Sequence, residues 1–62
     1  MWCVIWNRNN KYQLFTNVIF ESEKKALEFL NQQKSFRKKH EAKAVKYHPK
    51  YFSGVNEKEI LA

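Results

Sequence analysis

The chain has 62 residues, enough for one small domain, of which 44% are apolar and 16% aromatic. With one Gly and one Pro, this composition excludes a disordered or low-complexity segment. Twelve Lys and Arg against six acidic residues, all Glu, leave a formal net charge of +6. The single Cys excludes an internal disulfide. We therefore expect a small basic domain with a thin core, because a chain of this size buries only about 60% of its unfolded surface.

The first two predicted elements are strands that pair as a hairpin. Residues 2–6 alternate, with Trp2, Val4 and Trp6 on one face and the intervening residues on the other, and their aromatic and β-branched side chains favour a strand. A second strand is predicted for residues 11–20. The Asn-rich stretch between them tolerates the positive φ angles of a tight turn.

A helix is predicted next, followed by a third strand. Ser22 is a suitable N-cap and Glu23 complements the helix dipole, so the helix is predicted for residues 23–34. A basic connection then leads to a strand at residues 41–48, which Pro49 ends because it has no N–H for the ladder. Further on, Asn56 with Glu59 has the spacing of a capping box and predicts a single helical turn.

These elements predict an α+β fold in β-β-α-β order, with a three-stranded sheet and one helix packed on one face. Residues 1–52 form the domain, and residues 53–62 form a C-terminal segment that contains the short helical turn. The third strand reaches the sheet by a crossover through the helix. The predicted core consists of Trp2, Val4, Trp6, Leu14, Val18, Phe20, Ala26, Leu27, Phe29, Leu30, Val45 and Tyr47.

The predicted sheet has a second apolar face that the helix does not cover. This face carries Cys3, Ile5, Phe15 and Ile19. Two alternatives follow. Contiguous exposed apolar surface commonly marks an interface, so the face could form a symmetric homodimer. Alternatively, the C-terminal segment folds back over it with its own apolar residues, which are Tyr51, Phe52, Val55, Ile60 and Leu61.

The sequence offers little for catalysis, metal binding or cofactor binding. Cys3 could act as a nucleophile with His40 or His48 as its base, but a thiol within an apolar strand usually behaves as a small hydrophobe. The same three residues are one ligand short of a closed zinc site, and a single Gly excludes a Gly-rich phosphate loop. We expect a protein that is not an enzyme and that uses no metal or cofactor.

The strongest signal is a run of basic residues from Lys34 to Lys50, opposed only by Glu41. Lys and Arg neutralise phosphates, and aromatic rings stack on bases. The run therefore predicts a surface for an anionic macromolecule, foremost nucleic acid. Two alternatives are an acidic protein partner and lysines that only keep the chain soluble and protect an edge strand. The predicted binding residues are Arg37, Lys38, Lys39, Lys43, Lys46, Tyr47, Lys50 and Tyr51.

Three segments carry a resemblance to a protein class. They are MWCVIW at residues 1–6, FESEKKALEFL at residues 20–30 and AVKY at residues 44–47. In β-β-α-β order on a small chain rich in Lys and Asn, they resemble the small early, host-modulating proteins of bacteriophages. The resemblance implies a binding role, either on nucleic acid or as an inhibitor or adaptor of a host protein.

The opening apolar run is too short for a secretory signal and has Arg8 after it rather than a charge before it. No stretch approaches the roughly 18 apolar residues of a membrane span. We therefore expect a soluble cytoplasmic protein, in the host cytoplasm if it is encoded by a phage.

Overall fold

The computed structural model describes residues 1–60 of the chain. Its regular elements are β1 (Trp2–Arg8), β2 (Lys11–Leu14), α1 (Glu23–Gln32), α2 (Lys34–His40), β3 (Lys43–Lys46) and two 3₁₀ turns at Pro49–Phe52 and Glu57–Glu59. The α+β class and the three-stranded sheet are confirmed. The order is β-β-α-α-β, so the predicted β-β-α-β order lacks one helix. None of the helices in residues 1–60 has the length and apolar character needed to cross a membrane.

The sheet has the strand order β2-β1-β3, and both pairings are antiparallel. β2 and β3 therefore run in the same direction on either side of β1, and the chain passes between them through both helices. The hairpin turn places Asn9 and Asn10 at φ 52° and 68°, the positive values that a two-residue turn of this kind requires. β3 is an edge strand.

β2 ends at Leu14 and not at Phe20 as predicted. The N–H of Phe15 still donates to the Val4 carbonyl at 2.9 Å. The chain then leaves the ladder, where the N–H of Val18 donates to Thr16 Oγ1 at 3.3 Å in a local turn. It returns at Phe20, which exchanges two backbone hydrogen bonds with Trp2 at 2.7 and 2.8 Å.

The predicted helix begins as expected, because Ser22 Oγ accepts the N–H of Lys25 at 3.2 Å. It ends at Gln32, two residues early, and the segment predicted as a basic connection is the second helix, α2. Phe36 and His40 lie one turn apart on α2 and pack against Trp6, with ring centroids 5.2 and 5.0 Å from the indole. This apolar face holds α2 on the sheet.

Both faces of the sheet are covered, and a separate apolar cluster lies on each face. On the helix side the buried residues are Val4, Ala26, Leu30 and Ala42, packed with Trp2, Trp6, Phe15, Phe20, Phe29, Phe36 and Ala44. On the opposite side they are Cys3, Ile5, Tyr12, Val45, Tyr51 and Val55, packed with Leu14, Ile19, Tyr47 and Ile60.

The strand register explains which core predictions are wrong. Ile5 pairs with Leu14, so Leu14 lies on the face away from the helices, and Phe15 lies on the helix side. Val45 and Tyr47 also belong to the second cluster rather than to the helix-side core. Two further predicted core residues are exposed; they are Val18 and Leu27.

The C-terminal segment covers the apolar face that was predicted to be open. Tyr51 is fully buried, and Val55 exchanges backbone hydrogen bonds with Tyr12 at 2.8 and 2.9 Å. Cys3 and Ile5 are consequently buried within the chain, which removes the exposed face that motivated a homodimer. Leu61, also predicted in this cover, lies outside the described residues.

The segment itself turns twice. Gly54 adopts φ +87°, a conformation that L side chains rarely adopt. The 3₁₀ turn at Glu57–Glu59 follows Asn56, whose side chain makes no capping hydrogen bond. The helical turn is therefore present without the predicted capping box.

Candidate functional site

A surface groove of about 620 Å³ lies where the end of α1, the outer face of α2 and the start of β3 meet. We call it the basic groove. Its lining residues are Asn31, Lys34, Arg37, Lys38, Glu41, Ala42 and Lys43. Four of these side chains are cationic at neutral pH and one is a carboxylate. The residues that line the groove therefore carry an excess of positive charge.

α2 supplies three of the four cations because of its helical spacing. Lys34, Arg37 and Lys38 are related by three and four positions, so they share one helix face. Phe36 and His40 occupy the face that packs on the sheet. All three basic side chains are exposed. The amphipathic character of α2 thus directs its cations away from the core and into the groove.

Arg37 is positioned at the groove by a neighbouring side chain. Its Nη1 donates to Asn31 Oδ1 at 2.9 Å, and Asn31 comes from the last turn of α1. The remaining guanidinium donors lie in the fork geometry that binds two oxygens of a phosphate or carboxylate. Arg37 is therefore suited to bidentate contact with an anion.

Lys43 supplies the fourth cation from β3. Its Nζ lies 4.9 Å from the centroid of the Tyr12 ring and 3.8 Å from Glu57 Oε1. The ion pair is largely exposed on the Glu57 side, and such surface pairs contribute little to stability. Because Lys43 is the register partner of Ile5, these contacts hold its ammonium group on the sheet face away from the helices, while the residue itself borders the groove.

Glu41 is the acidic residue of the groove lining, and its carboxylate is directed at the hairpin. It ends α2 in the left-handed conformation, at φ 52°. Its Oε2 accepts the Tyr12 hydroxyl at 2.9 Å and the Asn7 amide at 3.4 Å. The hydrogen bond from Tyr12, followed by that from Asn7, lowers the pKa of the Glu41 carboxyl. Glu41 is therefore ionised at neutral pH.

The other predicted binding residues lie outside the groove lining. Lys39 is exposed on α2 and Lys46 is exposed on β3, opposite Trp2. Tyr47 is half-buried, with its ring centroid 6.3 Å from that of Phe52. Of the predicted set, Arg37, Lys38 and Lys43 line the groove, whereas Lys39, Lys46 and Tyr47 do not.

Lys50 and Tyr51 belong to the C-terminal cover of the sheet. Lys50 Nζ donates to the Glu59 carbonyl oxygen and lies 5.6 Å from the centroid of the Tyr51 ring. Because Tyr51 is fully buried, its ring is inaccessible for stacking on a base, and this corrects the role predicted for it.

Four groove residues were missing from the predicted set: Asn31, Lys34, Glu41 and Ala42. Lys34 was predicted at the end of the first helix and Glu41 at the start of the third strand, so neither residue was assigned to a second helix. A signal for Lys34 does exist, since positions 34, 37 and 38 have the spacing of one helix face.

The candidate nucleophile and bases are not brought together. Cys3 is buried in the second apolar cluster, and burial raises the pKa of its thiol to about 11. His40 packs on Trp6 on the helix side. His48 Nδ1 accepts the N–H of Lys50 at 3.0 Å. Within the described part of the chain, no group of three or more His, Cys, Asp or Glu side chains could hold a metal ion.

A row of aromatic rings lies on the helix side of the sheet. Phe36 stacks on Phe15 with centroids 4.0 Å apart, and Phe15 continues the row to Phe29 at 6.0 Å. Trp6 joins it, with the Arg8 guanidinium 5.9 Å from the indole. Each of these four rings is only partly buried, so the row also forms part of the surface.

No family model, curated protein or solved structure matches this chain. The residues and geometry of the groove are therefore the basis for the functional proposal.

Proposed function

We propose that the chain is a non-catalytic binding protein that holds a nucleic-acid backbone in its basic groove. The observation that carries the proposal is that Lys34, Arg37 and Lys38 lie exposed on one face of α2 and line the groove. Cations that neutralise phosphates release condensed counterions, and this release supplies most sequence-independent affinity for nucleic acids.

Backbone contact fits the groove better than base recognition does. Among residues 1–60, no aromatic side chain lines it, so this part of the chain gives it no platform on which bases would stack. Lysine contacts phosphates as a point charge, and a single Arg offers one bidentate contact. The expected binding is therefore tolerant of sequence and strongly dependent on salt.

Fluorescence anisotropy with labelled oligonucleotides tests this proposal. With the three cations of α2 in contact, log K should fall with log salt concentration with a slope of about −2 for a single strand. Arg37→Ala combined with Lys38→Ala should reduce the slope to about −0.7 and weaken binding at low salt at least about tenfold.

The matched control is Lys24→Ala combined with Lys58→Ala. Both lysines are exposed and lie outside the groove lining, and this double variant loses the same charge. It should bind almost as the unmodified chain does. The proposal fails if no salt-dependent binding occurs at micromolar protein, or if both double variants lose affinity equally.

A second candidate function is an inhibitor or adaptor that binds a host protein, as the likeness to phage proteins implies. The partly exposed aromatic row of Trp6, Phe15, Phe29 and Phe36 supports it, because aromatic residues are enriched at protein interfaces. A pull-down from nuclease-treated bacterial lysate separates the two functions. A stoichiometric protein retained after nuclease would favour this candidate, and recovery of nothing above background would count against it.

A further inference from the structure

We propose that the outer edge of β3 binds an extended acidic segment of a partner protein, which adds to the sheet as a fourth strand. This inference goes beyond the proposed function, because it uses the backbone of β3 and not the cations of α2.

The first argument is that one edge of the sheet is open. At the β2 edge, Val55 exchanges two backbone hydrogen bonds with Tyr12, so the C-terminal segment closes that edge. Among residues 1–60, β3 pairs only with β1. An unpaired strand edge is a template on which a further strand can pair.

The second argument concerns the backbone groups of β3 that face outward. In an antiparallel pair, residues alternate between exchanging hydrogen bonds with the partner strand and facing away from it. Trp2 exchanges its backbone hydrogen bonds with Phe20, on the side away from β3. Its register partner Lys46 therefore directs its N–H and carbonyl away from β1, and Ala44, two positions earlier, does the same. These groups are available to an added strand.

The third argument is charge. Two of the four residues of β3, Lys43 and Lys46, are lysines, and none is acidic. Lys46 is exposed, and no carboxylate within residues 1–60 forms an ion pair with it. Lysines on an edge strand discourage pairing with a second copy, since like charges would approach each other, and the net charge of +6 adds to this repulsion. An acidic strand is the occupant that complements this edge.

The two faces beside the edge indicate the pattern of the segment. Lys46 lies on the helix-side face with its register partner Trp2. Val45 and Tyr47 lie on the opposite face, where Phe52 is 57% exposed and its ring centroid is 6.3 Å from that of Tyr47. Side chains opposite each other on neighbouring strands share a face. The segment should therefore alternate acidic residues on the helix side with apolar residues on the other side.

The first test titrates the isotopically labelled chain with two peptides, GSEVEVEVGS and GSKVKVKVGS. They have the same capacity for backbone pairing and opposite charge. We expect only the acidic peptide to bind. At saturation it should slow hydrogen exchange of the Ala44 and Lys46 amides at least about tenfold, because these N–H groups become hydrogen-bonded. The Val45 amide, which faces β1, should change little.

Equal binding of the two peptides would overturn the inference, because charge would not select the occupant. Binding of the acidic peptide without slower exchange at Ala44 and Lys46 would also overturn it, because the peptide would then contact lysine side chains and not the strand edge.

Two variants of the edge separate backbone pairing from charge. Ala44→Pro removes an outward N–H and keeps every charge, and proline is tolerated on an edge strand at such a position. It should weaken binding of the acidic peptide at least about tenfold. Lys46→Glu should weaken it at least about fivefold, since like charges then meet. The matched control is Lys11→Glu, which makes the same charge change on β2 and should alter the affinity less than about twofold.

Thermal unfolding first establishes that each variant is folded. If Ala44→Pro does not fold, methylation of the peptide amides replaces it. Methyl groups on the Glu amides block an antiparallel added strand, and methyl groups on the Val amides block a parallel one. One methylated peptide should therefore lose binding and the other should keep it, whereas equal binding of both would contradict strand addition.

Two further results would assign the edge or the peptide elsewhere and overturn the inference. One is a dimer of the chain alone, seen by sedimentation velocity, that Ala44→Pro dissociates, since a second copy would then occupy the edge. The other is loss of peptide binding in Arg37→Ala combined with Lys38→Ala but not in Ala44→Pro, since the peptide would then bind α2. We expect a monomer, and peptide binding that this double variant leaves nearly unchanged.

Discussion

The Tyr12 hydroxyl connects the hairpin to the end of α2 through the Glu41 carboxylate. Tyr12 is buried, and its hydroxyl donates to Glu41 Oε2 at 2.9 Å. Burial first, and then the contact with Glu41, raises the pKa of Tyr12, while the same hydrogen bond lowers the pKa of Glu41. Both shifts favour a neutral tyrosine donating to an ionised glutamate.

This pair predicts a pH-dependent contribution to stability. Because the pKa of Glu41 in the folded chain lies below its ordinary value of 4.5, the contact stabilises the fold above that pH. The contribution is lost as the pH falls through the folded-state value. Tyr12→Phe should therefore lower the unfolding temperature at pH 7, and the difference from the unmodified chain should narrow towards pH 2.5.

Thermal unfolding followed by circular dichroism across this range measures the effect. Tyr47→Phe is the control, because no hydrogen bond of the Tyr47 hydroxyl is found within residues 1–60. The unfolding temperature of Tyr47→Phe should differ from that of the unmodified chain by the same amount at every pH. A constant difference for Tyr12→Phe as well would contradict the role given to Glu41.

The two helices are stabilised by different contacts. α1 begins at a side-chain cap that the sequence predicts, since Ser22 Oγ accepts the N–H of Lys25. α2 has seven residues and no side-chain cap at its start, and so short a helix is marginal alone in water. Its stability depends on packing Phe36 and His40 against Trp6.

Removing the cap of α1 should have a modest and local cost. Ser22→Ala leaves the N–H of Lys25 without its acceptor, and we expect the free energy of unfolding to fall by about 1 kcal/mol. Urea denaturation measures this change. Ser53→Ala is the control, because Ser53 is exposed and only its backbone N–H is bonded, to Lys50. A change below about 0.3 kcal/mol for Ser22→Ala would show that the cap is not formed in solution.

The whole molecule is one sheet between two apolar clusters, and the second cluster depends on the C-terminal segment. Without Tyr51 and Val55, the face with Cys3 and Ile5 would be exposed to water. A chain of this size has little core to lose. The segment is therefore part of the fold and not an appendage to a domain that ends at residue 52.

This architecture predicts that a small buried residue matters more than a large exposed one. Val55 is 4% exposed and Phe52 is 57% exposed. Val55→Ala should lower the free energy of unfolding by about 2 kcal/mol, whereas Phe52→Ala should change it by about 0.5 kcal/mol or less. Chemical denaturation of both variants measures these changes in the free energy of unfolding. The reverse order would mean that the segment does not pack on the sheet.

Local patterns in the sequence determined several features that the structure shares. Alternation of apolar residues marked β1, the Asn residues marked the hairpin turn, and Ser22 marked the start of α1. These signals involve neighbouring residues and act at short range, so they survive without knowledge of the fold. The excess of positive charge between Lys34 and Lys50 was equally plain from the sequence.

Tertiary structure alone decided the faces of the sheet and the composition of the groove. A strand keeps its alternating pattern when its register slips by one residue, yet every side chain changes face. The alternating pattern therefore does not determine that Ile5 pairs with Leu14, and only the structure gives this register. The same holds for Lys43, whose pairing with Ile5 brings it to the border of the groove but places its ammonium group on the face away from α2. Contacts between residues distant in the chain depend on the global packing, which no local pattern encodes.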